Sequence, residues 1–282
     1  LKRPKWDRFK GANDTYASDT LHPDGRRSQI SSTHDLGTNF AKAFDVNFTD
    51  KDGKKQYGYQ TCFGPGIWRI IAALISIHGD DKGLVLPFDL APAQIVIVPI
   101  MFKDSKEVLD YTKKIASQLK DYRIVVDDKD NTTPGEKFNV WELKGVPLRI
   151  EVGPREAKEE KVTIVTRTDR KKETVLLKDL KQHIKSQSNN VDQYLKSKAD
   201  DYFKNNTKKV DSFTDLRKTL NTHRGFVIAP FCSTNDGQIC AEKIKEETTA
   251  LVCGTELKDT KPVGKKCVVC GKPANHLVYI AK

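Results

Sequence analysis

Between Pro134 and Arg155 the chain reads PGEKFNVWELKGVPLRIEVGPR, and no other stretch leaves the backbone so little choice. A Pro-Gly turn at 134–135 is followed by the Trp141-Glu142 pair. Then come a Gly-Val-Pro break at 145–147, an alternating apolar strand and a Gly-Pro-Arg exit at 153–155. Punctuation of this density fixes the backbone around Lys137, Glu142 and Arg155. Polar groups directed from a rigid strand–loop unit suit the reading of base edges.

The rest of the composition agrees with a nucleic-acid partner. Lys and Arg number 49 against 38 Asp and Glu, a net charge of +11. Such an excess favours a polyanion, because each neutralised phosphate releases counterions. A merely well-solvated surface is the alternative. No apolar run approaches the ~20 residues that a membrane span needs. The longest, Ile95 to Phe102, is interrupted by Pro99 and reads as a buried strand. The first residue is Leu1 and no signal peptide is visible. Six cysteines in 282 residues do not make a disulfide scaffold, and their clustering near the end favours a metal in a reducing, cytoplasmic compartment.

A chain of this length holds about two or three domains. The pattern divides it into residues 1–87, 88–188 and 189–282. The first block turns at Pro23-Asp24-Gly25 and has a short helix feeding a strand over 39–48. A hairpin is expected at Asp50–Gly53, then a strand over 56–62 and a buried apolar helix over 67–77. These elements read as part of an antiparallel sheet backed by a helix. The second block alternates strands (94–100, 123–127, 148–152, 162–167, 174–177) with helices (103–122, 138–144), the pattern of a mostly parallel α/β sheet. A polar helix over 179–210, which Asn189-Asn190 would divide, joins the second block to the third, and the third continues as an α+β region with a helix near 213–220, a strand over 225–231 and a helix over 241–248.

Four clusters carry candidate chemistry. RRSQISSTHDLGTNFAKAF contains Gln29, Ser32 and His34; taken alone, a histidine in a polar loop is more readily a surface or capping group. CFGPGIWR contains Cys62, Gly64, Gly66 and Arg69, glycines that let backbone approach a ligand, with an arginine suited to phosphate. Lys137, Glu142, Glu151 and Arg155 lie in or beside the opening stretch. Cys232, Cys240, Cys267 and Cys270 supply four thiolates, the set for a tetrahedral structural zinc, with Cys253 and His276 as spare ligands.

Together these strings resemble prolyl-tRNA synthetases of the eukaryote and archaeal type. Gln29, His34, Leu36, Gly37, Asn39 and Phe40 match the family's Arg-x-x-Gln-x-x-Thr-Ser-His-x-Leu-Gly-Gln-Asn-Phe. Residues 62–69 and the GDDKGLVLP string at 79–87 resemble motif 3 of class II synthetases and its sequel. CVVCGKPA at 267–274 resembles the family's C-terminal zinc region, although the seven residues between Cys232 and Cys240 exceed the four expected there. The resemblance implies a two-step reaction: proline and ATP, with Mg²⁺, give prolyl-adenylate, and the prolyl group then passes to tRNA(Pro).

It further implies that Gln29, Ser32 and Arg69 face the nucleotide. His34, Cys62, Gly64 and Gly66 would face proline, with Lys137, Glu142, Glu151 and Arg155 on the anticodon. The family's motifs 1 and 2 would lie before Leu1. The expectation is therefore a C-terminal portion that is inactive by itself and dimeric when full length. A non-catalytic tRNA-binding module, or a class II synthetase for another amino acid, are the rival readings.

Overall fold

The computed structural model describes residues 1–100, 106–223, 225–258 and 261–282. Strands β1 (Asp14–Leu21) and β2 (Arg27–Gly37) form an antiparallel hairpin. It turns at Pro23-Asp24-Gly25, where the Asp24 carboxylate accepts the Arg26 N–H at 2.9 Å. The segment expected to be a polar loop around Gln29, Ser32 and His34 is thus a strand. Serines and threonines on both faces erase the two-residue apolar alternation by which a strand is usually read. Helix α1 (Asn39–Ala43) and the small hairpin of β3 (Asn47–Thr49) and β4 (Lys55–Tyr57) follow, but the strand expected over 56–62 breaks at Gly58-Tyr59, where the chain passes from this hairpin to another sheet. Strand β5 (Gln60–Pro65) completes a three-stranded antiparallel sheet in the order β1-β2-β5.

Helix α2 (Ile67–His78) begins where expected but is not buried. Ala73 is its one buried residue, and Ile67, Trp68, Ile70, Ile71 and Ile75 are exposed. No described element covers that apolar face.

The middle of the chain runs β6 (Ile95–Pro99), α3 (Lys106–Gln118), β7 (Ile124–Val126), α4 (Pro134–Leu143), β8 (Leu148–Val152), α5 (Pro154–Lys158), β9 (Lys161–Thr166) and β10 (Lys172–Leu176). Residues 103–105, expected to open the first of these helices, lie outside the described residues. The five-stranded sheet has the order β10-β9-β8-β6-β7. It is mixed rather than mostly parallel: β6 pairs parallel with β7 and β8, whereas β8–β9 and β9–β10 are antiparallel. The cause is loop length. A parallel return needs a crossover of a dozen or more residues, and only 153–160 separate β8 from β9.

The Pro-Gly pair at 134–135 is a helix start rather than a turn. Thr133 caps α4 in a reciprocal box with Glu136, and Pro134 takes a first-turn position that needs no N–H. Pro154 likewise takes the first-turn position of α5, where Gly153, with no side chain to cap the helix, donates its own N–H to Glu156 Oε2 at 3.0 Å. Gly145 has φ +73°, and a Cβ there would meet Leu84 at 2.6 Å, so the break before β8 requires glycine.

Helix α6 (Leu180–Asn205) is continuous through Asn189-Asn190. Leu180, Ile184, Val191 and Leu195 are buried along it, and this regular stripe outweighs two residues of modest helix propensity. The chain ends with β11 (Thr207–Lys209), α7 (Phe213–Thr222), β12 (Phe226–Phe231), α8 (Gln238–Thr248), β13 (Leu251–Gly254) and β14 (His276–Ala281). These strands form a mixed sheet in the order β11-β12-β14-β13.

Two compact units result. One joins Leu1–Ala73 to Tyr202–Lys282; the other is Leu74–Asp201. The first is stitched by Arg3, which is 1% exposed. Its guanidinium holds both Asp19 oxygens at 2.7 and 2.8 Å and also donates to the Cys253 carbonyl and, at 2.9 Å, to Gln29 Oε1. The second is centred on Ile95, Ile97, Leu148 and Ile150, covered by Ile115, Leu119, Leu180 and Ile184. Among the described residues no helix is long and apolar enough to cross a membrane.

Candidate functional sites

Three sites stand out, two on the first unit and one on the second. The first lies on the β1-β2-β5 sheet. Residues directly opposite on neighbouring strands share a face. Thr15, His34 and Cys62 form one row, and Ala17, Ser32 and Gly64 the next. Four residues singled out from sequence, Ser32, His34, Cys62 and Gly64, therefore share one face. The His34 ring is held from both edges, Nδ1 to Thr15 Oγ1 and Nε2 to Ser32 Oγ, each at 3.0 Å, and Phe9 packs against it at 4.7 Å.

Gln29 lies on the same strand, with its amide oxygen engaged by Arg3. Gly66 bonds through its N–H to the Ile30 carbonyl, and a Cβ there would meet Arg69 Nε at 2.9 Å and that carbonyl at 3.0 Å. Arg69 thus folds back beside the β2 backbone at Ile30. The sequence offers Thr15 only as the end of the GANDT string at 11–15; its link to His34 comes from strand pairing.

The second site is on the Leu74–Asp201 unit. A pocket of about 230 Å³ is lined by Trp141, Glu142, Arg149, Arg167, Arg170 and Lys172 with apolar Val96, Val146 and Val165. Glu142 Oε1 accepts from Arg170 Nε at 2.6 Å. Arg167, 3% exposed at its side chain, makes a two-pronged bond to Asp80 at 2.6 and 2.9 Å and donates to the Glu142 carbonyl. The Arg167 hydrogen bonds hold the Asp80 carboxyl well below the usual range. Arg149 lies over the Phe138 ring at 4.1 Å and bonds Glu151 at 2.8 Å, while Lys172 reaches the other Glu151 oxygen at 3.0 Å.

An apolar recess of about 400 Å³ shares Trp141 and Val146 with this pocket, and Lys144 caps the Trp141 ring at 4.4 Å. Of the four residues singled out from sequence, Glu142 and Glu151 lie at the pocket or orient its cations. Lys137 does not reach it: its ammonium is buried and donates to the Asp127 and Lys129 carbonyls. Arg155 is 85% exposed and pairs with Glu159 on α5. The basic residues that surround the pocket were missed because Arg167, Arg170 and Lys172 belong to a different hairpin and meet Glu142 only through the fold.

The third site is the cysteine cluster. The sulfurs of Cys232, Cys240, Cys267 and Cys270 all lie within 4.8 Å of one another, and Cys232 and Cys240 are 3.8 Å apart. A tetrahedral zinc with Zn–S of about 2.3 Å needs sulfur separations of about 3.8 Å. The donor set and its spacing therefore fit zinc. The seven-residue gap closes because the Ser233 hydroxyl caps the Asn235 and Asp236 N–H groups. Gly237, where a Cβ would meet the Ser233 carbonyl at 2.2 Å, then starts α8 and returns Cys240. Burial pushes the Cys232 thiol up to about 11, and the Cys240 thiol further upward; a bound cation would reverse that balance. The spare candidates stand apart from this group: Cys253 lies buried beside Arg3 and Arg27, and His276 opens β14.

The basic pocket lies within residues 94–187, which match the family model of the anticodon binding domain. Residues 213–282, with the cysteine cluster, match the model described as prolyl-tRNA synthetase, C-terminal. Over 100% of its length the chain is 48% identical to the proline–tRNA ligase of Thermofilum pendens, and over 96% it is 40% identical to that of Methanococcus aeolicus. The prolyl-tRNA synthetase of Giardia lamblia, solved with prolyl-adenylate, superposes on all of it with a TM-score of 0.93 at 33% identity. That of Cryptosporidium parvum, solved with halofuginone and AMPPNP, gives 0.89 at 34%. The chain belongs to the prolyl-tRNA synthetase family and corresponds to its C-terminal portion. It spans 58–59% of those two ligases and 59–60% of the two solved chains.

Proposed function

We propose that this chain supplies the tRNA-reading region and one wall of the adenylate site of a proline–tRNA ligase. The carrying observation is the pocket in which Arg149, Arg167, Arg170 and Lys172 surround Trp141 and Glu142. Guanidinium forks and a carboxylate offer complementary edges to an unpaired base, and an aromatic face offers stacking. The neighbouring recess behind Trp141 would take an adjacent apolar or stacked surface. Glu151 orients Arg149 and Lys172, Lys137 acts by holding the end of β7, and Arg155 contributes charge from outside the pocket.

The domains of this reading are residues 1–87 from the catalytic domain, 88–188 for the anticodon and 189–282 for the zinc region. On the sheet face, His34, Cys62, Gly64 and Gly66 would line the proline side. Gln29, Ser32 and Arg69 would face ATP and its Mg²⁺, with Arg69 meeting phosphate charge. Zinc, held by Cys232, Cys240, Cys267 and Cys270, would be structural: it fixes the turns that enter α8 and β14. The full-length enzyme would be a cytoplasmic homodimer.

The test uses the 282-residue chain. It should bind tRNA(Pro) with a log–log salt slope of about −0.7 to −0.9 per phosphate neutralised, and it should show no proline-dependent exchange of pyrophosphate into ATP. Salt-independent binding, or robust exchange, would overturn the reading. Tight tRNA binding by a longer natural protein that also fails exchange would favour the non-catalytic module.

A further inference from the structure

We propose that Thr15 is a positioning residue: it fixes His34 as the Nε2–H tautomer and so leaves the Ser32 hydroxyl hydrogen free for an acceptor on the ligand. The inference rests on the adenylate-site reading for its functional meaning, and on hydrogen-bond bookkeeping for its geometry. The Phe9 backbone N–H is an obligate donor, and Thr15 Oγ1 accepts it at 3.0 Å. Thr15 is 4% exposed, so its own hydroxyl hydrogen needs a protein acceptor. Among the described residues, the acceptor in reach of that hydroxyl is His34 Nδ1 at 3.0 Å. Nδ1 then carries a lone pair, and a neutral imidazole bears its hydrogen on Nε2. That hydrogen is donated to Ser32 Oγ at 3.0 Å.

The direction of the whole chain follows: Phe9 N–H to Thr15, Thr15 O–H to His34, His34 Nε2–H to Ser32. Ser32 accepts within the protein and so has its hydrogen left to give. Glycine at the facing position of β5 keeps space beside it, since a Cβ at Gly64 would lie only 3.8 Å from Ser32 Oγ. In the opposite direction, His34 Nδ1–H would donate to Thr15 and strand the buried Thr15 hydrogen, a loss comparable to an unmade hydrogen bond. The site thus presents Ser32 as a directed donor, suited to a carbonyl or phosphate oxygen.

The experiment is ¹⁵N NMR of the His34 ring in the 282-residue chain, compared with Thr15→Val and Thr15→Ser. The parent and Thr15→Ser should show a single tautomer with hydrogen on Nε2. Thr15→Val, nearly isosteric but without the donor, should show a mixture of both. Circular dichroism of each variant establishes that the sheet is retained. A parent ring protonated on Nδ1, or an unchanged single tautomer in a folded Thr15→Val, would overturn the proposal. Titration with the non-hydrolysable sulfamoyl analogue of prolyl-adenylate, followed on the same signals, separates the two levels. Unmoved His34 signals alongside the stated tautomer would reject adenylate binding by this chain alone while the Thr15 relay stands.

Discussion

Arg3 carries a permanent charge at 1% exposure, and its stability rests on Asp19, 2% exposed at its side chain. Removing one partner of such a pair leaves an uncompensated buried charge. Asp19→Ala is expected to cost about 3–5 kcal/mol in urea unfolding; a loss under about 1 kcal/mol would show that water reaches Arg3 freely. Asp80 is a milder case. Its carboxyl is depressed by Arg167, so its contribution is fully present above the unfolded value and is lost only as pH falls through the lower folded value. Asp80→Ala should destabilise by about 2 kcal/mol at pH 7, less than a fully buried pair because the Asp80 side chain is 40% exposed. The deficit should shrink as the pH of the measurement drops well below 4, about the reference value for Asp. A deficit that grew on acidification would contradict the assignment. None of these pairings is visible in sequence: 16 positions separate Arg3 from Asp19, and 87 separate Asp80 from Arg167.

At the scale of elements, α2 is the anomaly. Its residues Ile67, Trp68, Ile70, Ile71 and Ile75 are exposed, more apolar surface than an isolated helix face ordinarily shows to water. The 282-residue chain should therefore bind an apolar dye such as ANS and self-associate, and Ile71→Lys with Ile75→Lys should suppress both. Unchanged dye binding in that variant would place the apolar surface elsewhere. Elements with strong local signals were legible in the sequence: β6 from its run of β-branched residues, α3 and α6 from helical spacing, the Asp50–Gly53 turn from its residue types. Elements specified by pairing were not. Strands β1 and β2 are too polar to alternate, β13 is only four residues long, and β14, an apolar run at 277–281, owes its place in the sheet to pairing with β12 and β13. The cysteine quartet was legible as a ligand set, but the turn that brings Cys240 back depends on Ser233 and Gly237. The basic pocket was half legible: Glu142 lies in the punctuated stretch, while Arg167, Arg170 and Lys172 arrive on the β9–β10 hairpin.

For the molecule as a whole, the first and last parts of the sequence share one unit, and the zinc-ligand set lies in it. The purified chain should carry about one zinc per molecule, the occupancy of a single four-thiolate site. A strong chelator should lower its melting temperature, and Cys270→Ser should do the same without chelator; a metal-free chain with an unchanged melting curve would remove zinc from the account. In the other unit, the role proposed for the pocket beside Trp141 is to read bases in an unpaired loop. The most direct measurement is the affinity of the chain, at fixed salt, for tRNA(Pro) and for the same tRNA with its anticodon bases replaced, repeated with Arg149→Ala. The parent should show a penalty of about 1–3 kcal/mol per misread base, and the variant should nearly lose it at one base. Equal affinity of the parent for both tRNAs would contradict that role.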